Sequence, residues 1–256
     1  MEQKIYFQNS KGDKLCGILS NPTGDTTKPI IILVHGFSAN KDARSLRLIK
    51  ELIDKKGIST FRFDIYGHGE SDGKLEDITI SEGVDDVLQA INFLKQRDYK
   101  KIGLVGTSFG GICCTVASVN TKDLFVMVLK SPVSDFKELI DLKYSKEEIK
   151  NWEQKGHIFL KDGEKKLKIN YLFYNDFGNN NGYFSAPNIK SPTLIVHGDK
   201  DEEVPDYQSV KLSRLIPNCK LITIKGADHG YRKPEHMKEM LEAIANFIFE
   251  IIENNK

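Results

Sequence analysis

Gly106-Thr107-Ser108-Phe109-Gly110 is the segment of this chain whose residue types and spacing point most directly to chemistry. It follows an apolar run, Lys101-Ile102-Gly103-Leu104-Val105, and leads into a segment of helical character from about Phe109. A serine at the apex of a sharp strand-to-helix turn presents its hydroxyl outward, and small residues two positions either side let the two arms approach. Gly106 and Gly110 meet that need. Five letters alone recur by accident in a glycine- and serine-containing chain; the strand, turn and helix together carry the inference. Ser108 is thus a candidate nucleophile for acyl transfer.

A serine hydroxyl is a weak nucleophile near neutral pH and needs a base to take its proton. His229 follows the strand-like Leu221-Ile222-Thr223-Ile224 through a short loop, at the carboxyl end of a late strand, and is the candidate base. His236 lies in the helix beyond and His157 in a different region, both as surface or packing residues, while His35, His68 and His197 sit beside glycines as turn-shaping residues. The base in turn needs an acid to fix its tautomer and stabilise the imidazolium. Asp199 and Asp201 follow the buried run Thr193-Leu194-Ile195-Val196, and charge alone does not separate them. Asp201 is the choice. Asp228, next to the histidine, would have to fold back on itself, and Glu202 and Glu203 read as solvent-facing. The developing oxyanion needs donors already in place. The backbone amides of Phe109, after the nucleophile, and Phe37, after an early buried strand in His35-Gly36-Phe37, are the natural pair.

These landmarks, with the stretch Asp64-Ile65-Tyr66-Gly67-His68-Gly69-Glu70-Ser71-Asp72-Gly73 and with His197-Gly198-Asp199-Lys200-Asp201 and Gly226-Ala227-Asp228-His229, make the chain resemble an α/β-hydrolase. The resemblance is to the serine aminopeptidase and lysophospholipase-like branch that includes bacterial carboxylesterases and cinnamoyl or feruloyl esterases. It runs from about residue 30 to the end, apart from an insert. It implies a serine, aspartate, histidine order, with the acid three residues after the glycine of the His-Gly motif, which supports Asp201 over Asp199. Gly67-His68-Gly69 is a landmark of the resemblance read here as a structural turn. Nothing in the insert matches a phenolic-acid site, so the resemblance does not choose a substrate.

The elements that must position these groups are legible as periods. Residues 4–8 and 15–20 read as two short strands around a turn, an antiparallel edge. Compact β-branched runs at 29–34, 59–64, 102–106 and 125–129 alternate with helical segments, which predicts an α/β fold: a mostly parallel, doubly wound sheet covered on both faces. One helix places Val84, Val87, Leu88, Ile91 and Leu94 on a single face and Asp85, Asp86, Gln89 and Lys95 mainly opposite, after Thr79-Ile80-Ser81-Glu82 at capping-box spacing. Another, 234–253, repeats apolar residues at three- and four-residue intervals opposite a face of mixed charge, which favours core packing over a membrane surface.

After the sixth strand the alternation stops. Residues 132–187 are too many for a plain connection and predict an inserted cap or lid, dividing the chain into a core of 1–131 and 188–256 and an insert of 132–187. Its many aromatic residues, Trp152 and Phe173 among them, either line a pocket or build the insert's own small core, and Gly178-Asn179-Asn180-Asn181-Gly182 reads as a loop. Lysines between 143 and 168 are interspersed with Glu147, Glu148, Glu153 and Glu164, the pattern of a solvated surface.

Composition bounds the rest. Thirty-seven basic against thirty-six acidic residues leave a net charge of +1, which argues against nucleic acid or an anionic membrane as partner. Met1-Glu2-Gln3-Lys4-Ile5 lacks the features of a secretory signal, and no apolar run of about 20 residues suggests a membrane span. Cys16, Cys113, Cys114 and Cys219 lack metal spacing and read as reduced thiols of a cytoplasmic protein, the adjacent pair serving close helix packing. The expectation is a serine hydrolase of a small or medium acyl ester that needs no cofactor or metal, with a homo-oligomer left open. A thioesterase, a short-peptide or amide hydrolase, and a ligand-binding module without turnover are the alternatives.

Overall fold

Runs of β-branched residues bounded by glycines and charges become the strands of one eight-stranded sheet. The computed structural model describes residues 2–122, 124–162 and 165–254; Met1 and Glu164, used above, lie outside the described residues. The chain opens with the antiparallel pair β1 (Glu2–Gln8) and β2 (Lys14–Ser20). There follow β3 (Ile30–Val34), α1 (Arg44–Asp54), β4 (Ser59–Phe63), α2 (Ile80–Lys95), β5 (Ile102–Thr107), α3 (Phe109–Val119) and β6 (Leu124–Lys130). After the insert come β9 (Thr193–Gly198), α8 (Asp206–Leu215), β10 (Cys219–Ile224) and α9 (Pro234–Asn254). Spatial order is β1-β2-β4-β3-β5-β6-β9-β10, with β2 antiparallel to both neighbours and every later pairing parallel.

Parallel strands covered on both faces must be apolar on both. In β3 the period of two sends Ile30, Ile32 and Val34 into one core and Ile31 and Leu33 into the other. The first core packs under α2, α3 and the insert; the second packs under α1 and α9, with Met237, Met240, Ile244 and Ile248 of α9 buried in it. The intervals read for 234–253 are therefore those of a core helix. No described helix is long and apolar enough to cross a membrane.

Residues 132–187 form elements of their own. They are α4 (Phe136–Lys143), α5 (Lys146–Lys155), the antiparallel hairpin of β7 (His157–Asp162) and β8 (Lys165–Asn170), α6 (Leu172–Asn175) and α7 (Gly182–Ser185). Ser145 and Glu148 make a complete capping box at α5. The asparagine run expected as loop partly caps a helix instead: Asn181 Oδ1 accepts the amide of Tyr183 at the start of α7. The insert's rings divide between the two roles. Trp152, Tyr171 and Tyr174 pack on one another at 5.4 to 5.8 Å within the insert. Phe136 and Phe173 instead reach Phe109 of the core at 5.9 and 6.3 Å.

The helix α2 corrects two expectations. Thr79 Oγ1 accepts from Glu82 N at 3.0 Å, but the Glu82 carboxylate is drawn away to Asn9 and Lys11, so only half the capping box forms. Asp86, assigned to the polar face, is fully buried because it is needed as an acceptor: Tyr66 N donates to it at 2.7 Å and Asn9 Nδ2 at 3.3 Å. Burial, with Glu82 and Asp85 nearby, pushes its carboxyl up to about 8. The folded state then holds a proton there that the unfolded chain, titrating near 3.9, releases, so the associated stability is present below about pH 4 and is lost as pH rises towards 8. Asp86→Asn is expected to raise the melting temperature relative to the parent by more at pH 8 than at pH 5, as read by scanning calorimetry.

Candidate active site

Between β5 and α3 the backbone turns at Ser108, with φ 52° and ψ −114°. A residue with a Cβ resists that geometry, and it persists only where the surroundings over-determine it. They do so here: Ser108 N donates to Lys130 O at 3.0 Å, and Ser108 O accepts from Gly111 N at 2.9 Å and Val133 N at 3.1 Å. The flanking glycines are needed for close approach. A Cβ at 106 would lie 2.5 Å from Gly110 O, and one at 110 would lie 2.5 Å from His35 O. Ser38, Ser131 and Tyr231 also adopt positive φ around this site.

His229 stands in the β10–α9 loop. Its Nδ1 donates to Asp201 Oδ2 at 2.6 Å, so Nε2 is the nitrogen turned away from the acid. The Asp201 side chain is fully buried, and its Oδ1 accepts the amides of Glu203 and Val204 at 3.0 and 2.8 Å. Burial pushes this carboxyl up, but donation from His197 and His229, with the amide of Val204, outweighs that and holds it below the ordinary range. Asp199 turns elsewhere and accepts Gly226 N at 2.5 Å. His197, read as a turn residue, ends β9 and lies behind the acid. Its Nε2 donates to Val204 O at 3.0 Å and is 3.1 Å from Asp201 Oδ2, leaving Nδ1 to accept from Ser209 Oγ at 2.6 Å. Glu203 is 61% exposed as expected, yet its Oε2 lies 3.6 Å from His229 Nε2.

On the other side of Ser108 runs the His35-Gly36-Phe37 segment. His35 is buried; its Nδ1 donates to Gly36 O at 2.8 Å and its Nε2 accepts Ile65 N at 3.0 Å. Burial, helped by the neighbouring His68, lowers it to about 3 and keeps it a neutral strut. A Cβ at Gly36 would lie 3.2 Å from Ser108 Cβ, so Phe37 leaves β3 directly beside the serine. Among the described residues, no acceptor takes up the N–H of Phe37 or Phe109. Asp64 anchors the loop beyond: Oδ1 accepts Lys41 N, while Oδ2 accepts Lys41 Nζ and Glu70 N, all at 2.7 to 2.9 Å. Ser71 Oγ donates back to Asp64 O at 2.6 Å. The stretch 64–73 is thus a structural brace, with Gly67-His68-Gly69 inside it.

Ser108, His229 and Phe37 all open on one cavity of about 680 Å³, and Asp201 stands behind His229. Among the described residues no hydrogen bond joins Ser108 Oγ to the imidazole. Such bonds are often long without substrate and shorten in the complex. Much of the remaining wall comes from residues 132–187, through the apolar Phe136, Leu139, Ile140, Leu160 and Phe173 with Lys143 and Lys161 among them. Two groups of described side chains have ligand atoms close enough for a cation, Cys16-Asp64-Glu70 and Glu82-Asp85-Asp86. Neither lines the cavity, and Lys41 and Lys11 already supply charge to them. The sequence reading missed Lys130 and Tyr231. Lys130 Nζ donates to His229 O at 2.5 Å from a buried position in the cavity wall. No motif marks either residue, because each acts through a main-chain atom distant in sequence.

A mostly parallel sheet with helices on both faces, and a serine on a strained strand-to-helix turn at its carboxyl edge, defines a member of the α/β-hydrolase superfamily. Within it the chain belongs to the prolyl oligopeptidase family, which matches residues 45–255. Among solved structures it is similar to Est1E from Butyrivibrio proteoclasticus with ferulic acid bound, at TM-score 0.86 and 29% identity over 97% of this chain and 99% of that one. It is 26% identical over 229 residues to the mitochondrial palmitoyl-protein thioesterase ABHD10 of Bos taurus, covering 86% of this chain and 73% of that protein. The uncharacterized peptidase YuxL of Bacillus subtilis is 24% identical over 264 residues, but the 96% of this chain that aligns spans only 38% of YuxL.

The contact at Gly110 is backbone on backbone and cannot be relieved by turning a side chain. Gly110→Ala is expected to lower stability by about 1–3 kcal/mol, the usual range for overpacking, read as a lowered urea midpoint with unchanged slope.

Proposed function

We propose that this protein hydrolyses a small or medium carboxylic ester through an acyl-enzyme on Ser108. The observation that carries the proposal is the shared cavity: the candidate nucleophile and base open on one space, with the base already hydrogen-bonded to a buried carboxylate. In this reading His229 Nε2 takes the Ser108 proton as Oγ attacks the ester carbonyl carbon. The oxyanion is met by the amides of Phe37 and Phe109, and Asp201 holds the ring and the charge it acquires. Collapse breaks the bond to the alcohol oxygen, which leaves with the proton from His229. Water then gives a proton to the same nitrogen as it attacks the acyl carbon; the bond to Ser108 Oγ breaks, His229 returns that proton to Oγ, and the acid leaves. None of these steps calls on a metal or cofactor.

Residues 132–187 act as a cap in this scheme, and their apolar side chains receive the acyl group. A cavity of about 680 Å³ is of the size that takes a small molecule. The likeness to a structure holding ferulic acid supports a cinnamoyl or feruloyl-type acyl group. A thioester is the second reading, supported by the likeness to a palmitoyl-protein thioesterase. A cytoplasmic location is supported by four unpaired cysteines.

Ser108→Ala is expected to abolish labelling by a fluorophosphonate probe while leaving the circular dichroism spectrum unchanged; labelling that survives it rules out Ser108 as nucleophile. Asp201→Asn is expected to retain the fold and lose about 10⁴-fold in kcat. Rates on matched aryl ester, thioester and anilide substrates should rank the ester first.

A further inference from the structure

Lys130 takes no part in the steps above, yet it is built into the site. It is the last residue of β6, paired with Thr107 of β5, and its main-chain oxygen accepts from Ser108 N. Its side chain is buried in the cavity wall. Nζ donates to the main-chain oxygen of His229 at 2.5 Å and lies 4.8 Å from the ring centre of Tyr231. Tyr231 is itself fully buried at φ 51°, and its hydroxyl meets Val196 O at 3.3 Å and Ser131 Oγ at 3.2 Å. The loop that carries His229 is therefore stitched to the ends of β6 and β9 at position 229 and again at 231.

Burying an ammonium is costly, and an apolar side chain would end a buried strand with no such cost. The charge needs a use. We propose that Lys130 is a positioning residue for the base: its charge-assisted hydrogen bond to the carbonyl of His229 holds the loop so that the imidazole, fixed by Asp201 at Nδ1, presents Nε2 to the Ser108 hydroxyl, a proposal that rests on the acyl-transfer reading of those three residues. A charge-assisted bond is roughly twice as strong as a neutral one, and misplacing a catalytic group by about 1 Å can cost 10²-fold in rate. Lys130 is not itself the base. Its Nζ is directed to the carbonyl of His229, and among the described residues no hydrogen bond joins it to Ser108.

The groups facing Nζ are Asp201 and Glu203 from the β9–α8 loop, and Asp228, His229 and Tyr231 from the β10–α9 loop. Burial lowers the lysine to about 8, against the three carboxylates. The cation, and with it the stronger tether, is thus lost as pH rises through about 8.

Hydrolysis of a p-nitrophenyl ester by the full chain tests this. Lys130→Met is expected to lose about 10²-fold in kcat with KM within about twofold of the parent, while remaining folded by near-ultraviolet circular dichroism. In Lys130→Ala, n-propylammonium, which replaces the missing atoms, should restore rate, and neutral 1-propanol should not. The parent's kcat should fall above about pH 8, and Lys130→Arg, whose guanidinium keeps its proton, should hold it there. Full kcat in Lys130→Met beside an inactive Ser108→Ala overturns the proposal and leaves the acyl-enzyme intact. So does a loss that propylammonium does not restore, or a parent activity that rises through pH 8. A parent enzyme that the fluorophosphonate fails to label removes the acyl-enzyme reading and this proposal together.

Discussion

The turn at Ser108 holds a side-chain-bearing residue at φ 52°, and such a backbone survives only if its neighbours leave it nowhere else to go. The constraint reaches outward from there. Gly110 must lie against the carbonyls of β3, and Val133, just past β6, must close on the serine carbonyl. The central strands β3, β5 and β6 therefore have to end together. Once they do, the chain leaving β3 carries Phe37 past one side of Ser108, and the end of β6 brings Lys130 to the other. A parallel sheet has this property generally, since all its carboxyl ends lie along one edge and loops from distant parts of the chain meet there.

Charge is buried around that edge in matched sets. Asp201 lies between two imidazoles and two amides, Asp64 between the ammonium and amide of Lys41 and the amide of Glu70, and Lys130 against a carbonyl and an aromatic face. An unpaired buried charge would be strongly unfavourable, so each set admits few arrangements. Each also joins segments far apart in sequence: 41 with 64, 201 with 229, 130 with 229. Their contribution is read best as location. The apolar cores supply the driving force for collapse, and these polar contacts select which loop conformation survives it.

The insert follows a different logic. Its elements pack partly on themselves, through the rings of Trp152, Tyr171 and Tyr174, and partly on the sheet, through Phe136 and Phe173 against Phe109. The side chains that bridge to the core are also those that wall the cavity. Packing and pocket are thus made of the same residues, and a change of substrate preference there would change how the insert is held.

Local chemistry wrote much of this into the chain. The alternation of β-branched runs with helical periods specified a mostly parallel sheet covered on both faces, because backbone geometry ties side-chain direction to a period of two or 3.6. The glycines about Ser108 marked the turn, and the order of Ser108, Asp201 and His229 marked the candidate site, since each sits just beyond an apolar run. Tertiary structure alone decided the rest. That Asp86 is buried under the amide of Tyr66 and that Lys130 meets the carbonyl of His229 depend on main-chain atoms brought close by packing, and that His197 backs Asp201 and Glu203 reaches His229 depends on how the packed loops lie. Main-chain carbonyls and amides are the same at every position, so a contact with one leaves no mark on the partner's place in the sequence. Only the fold says which of them a side chain will meet.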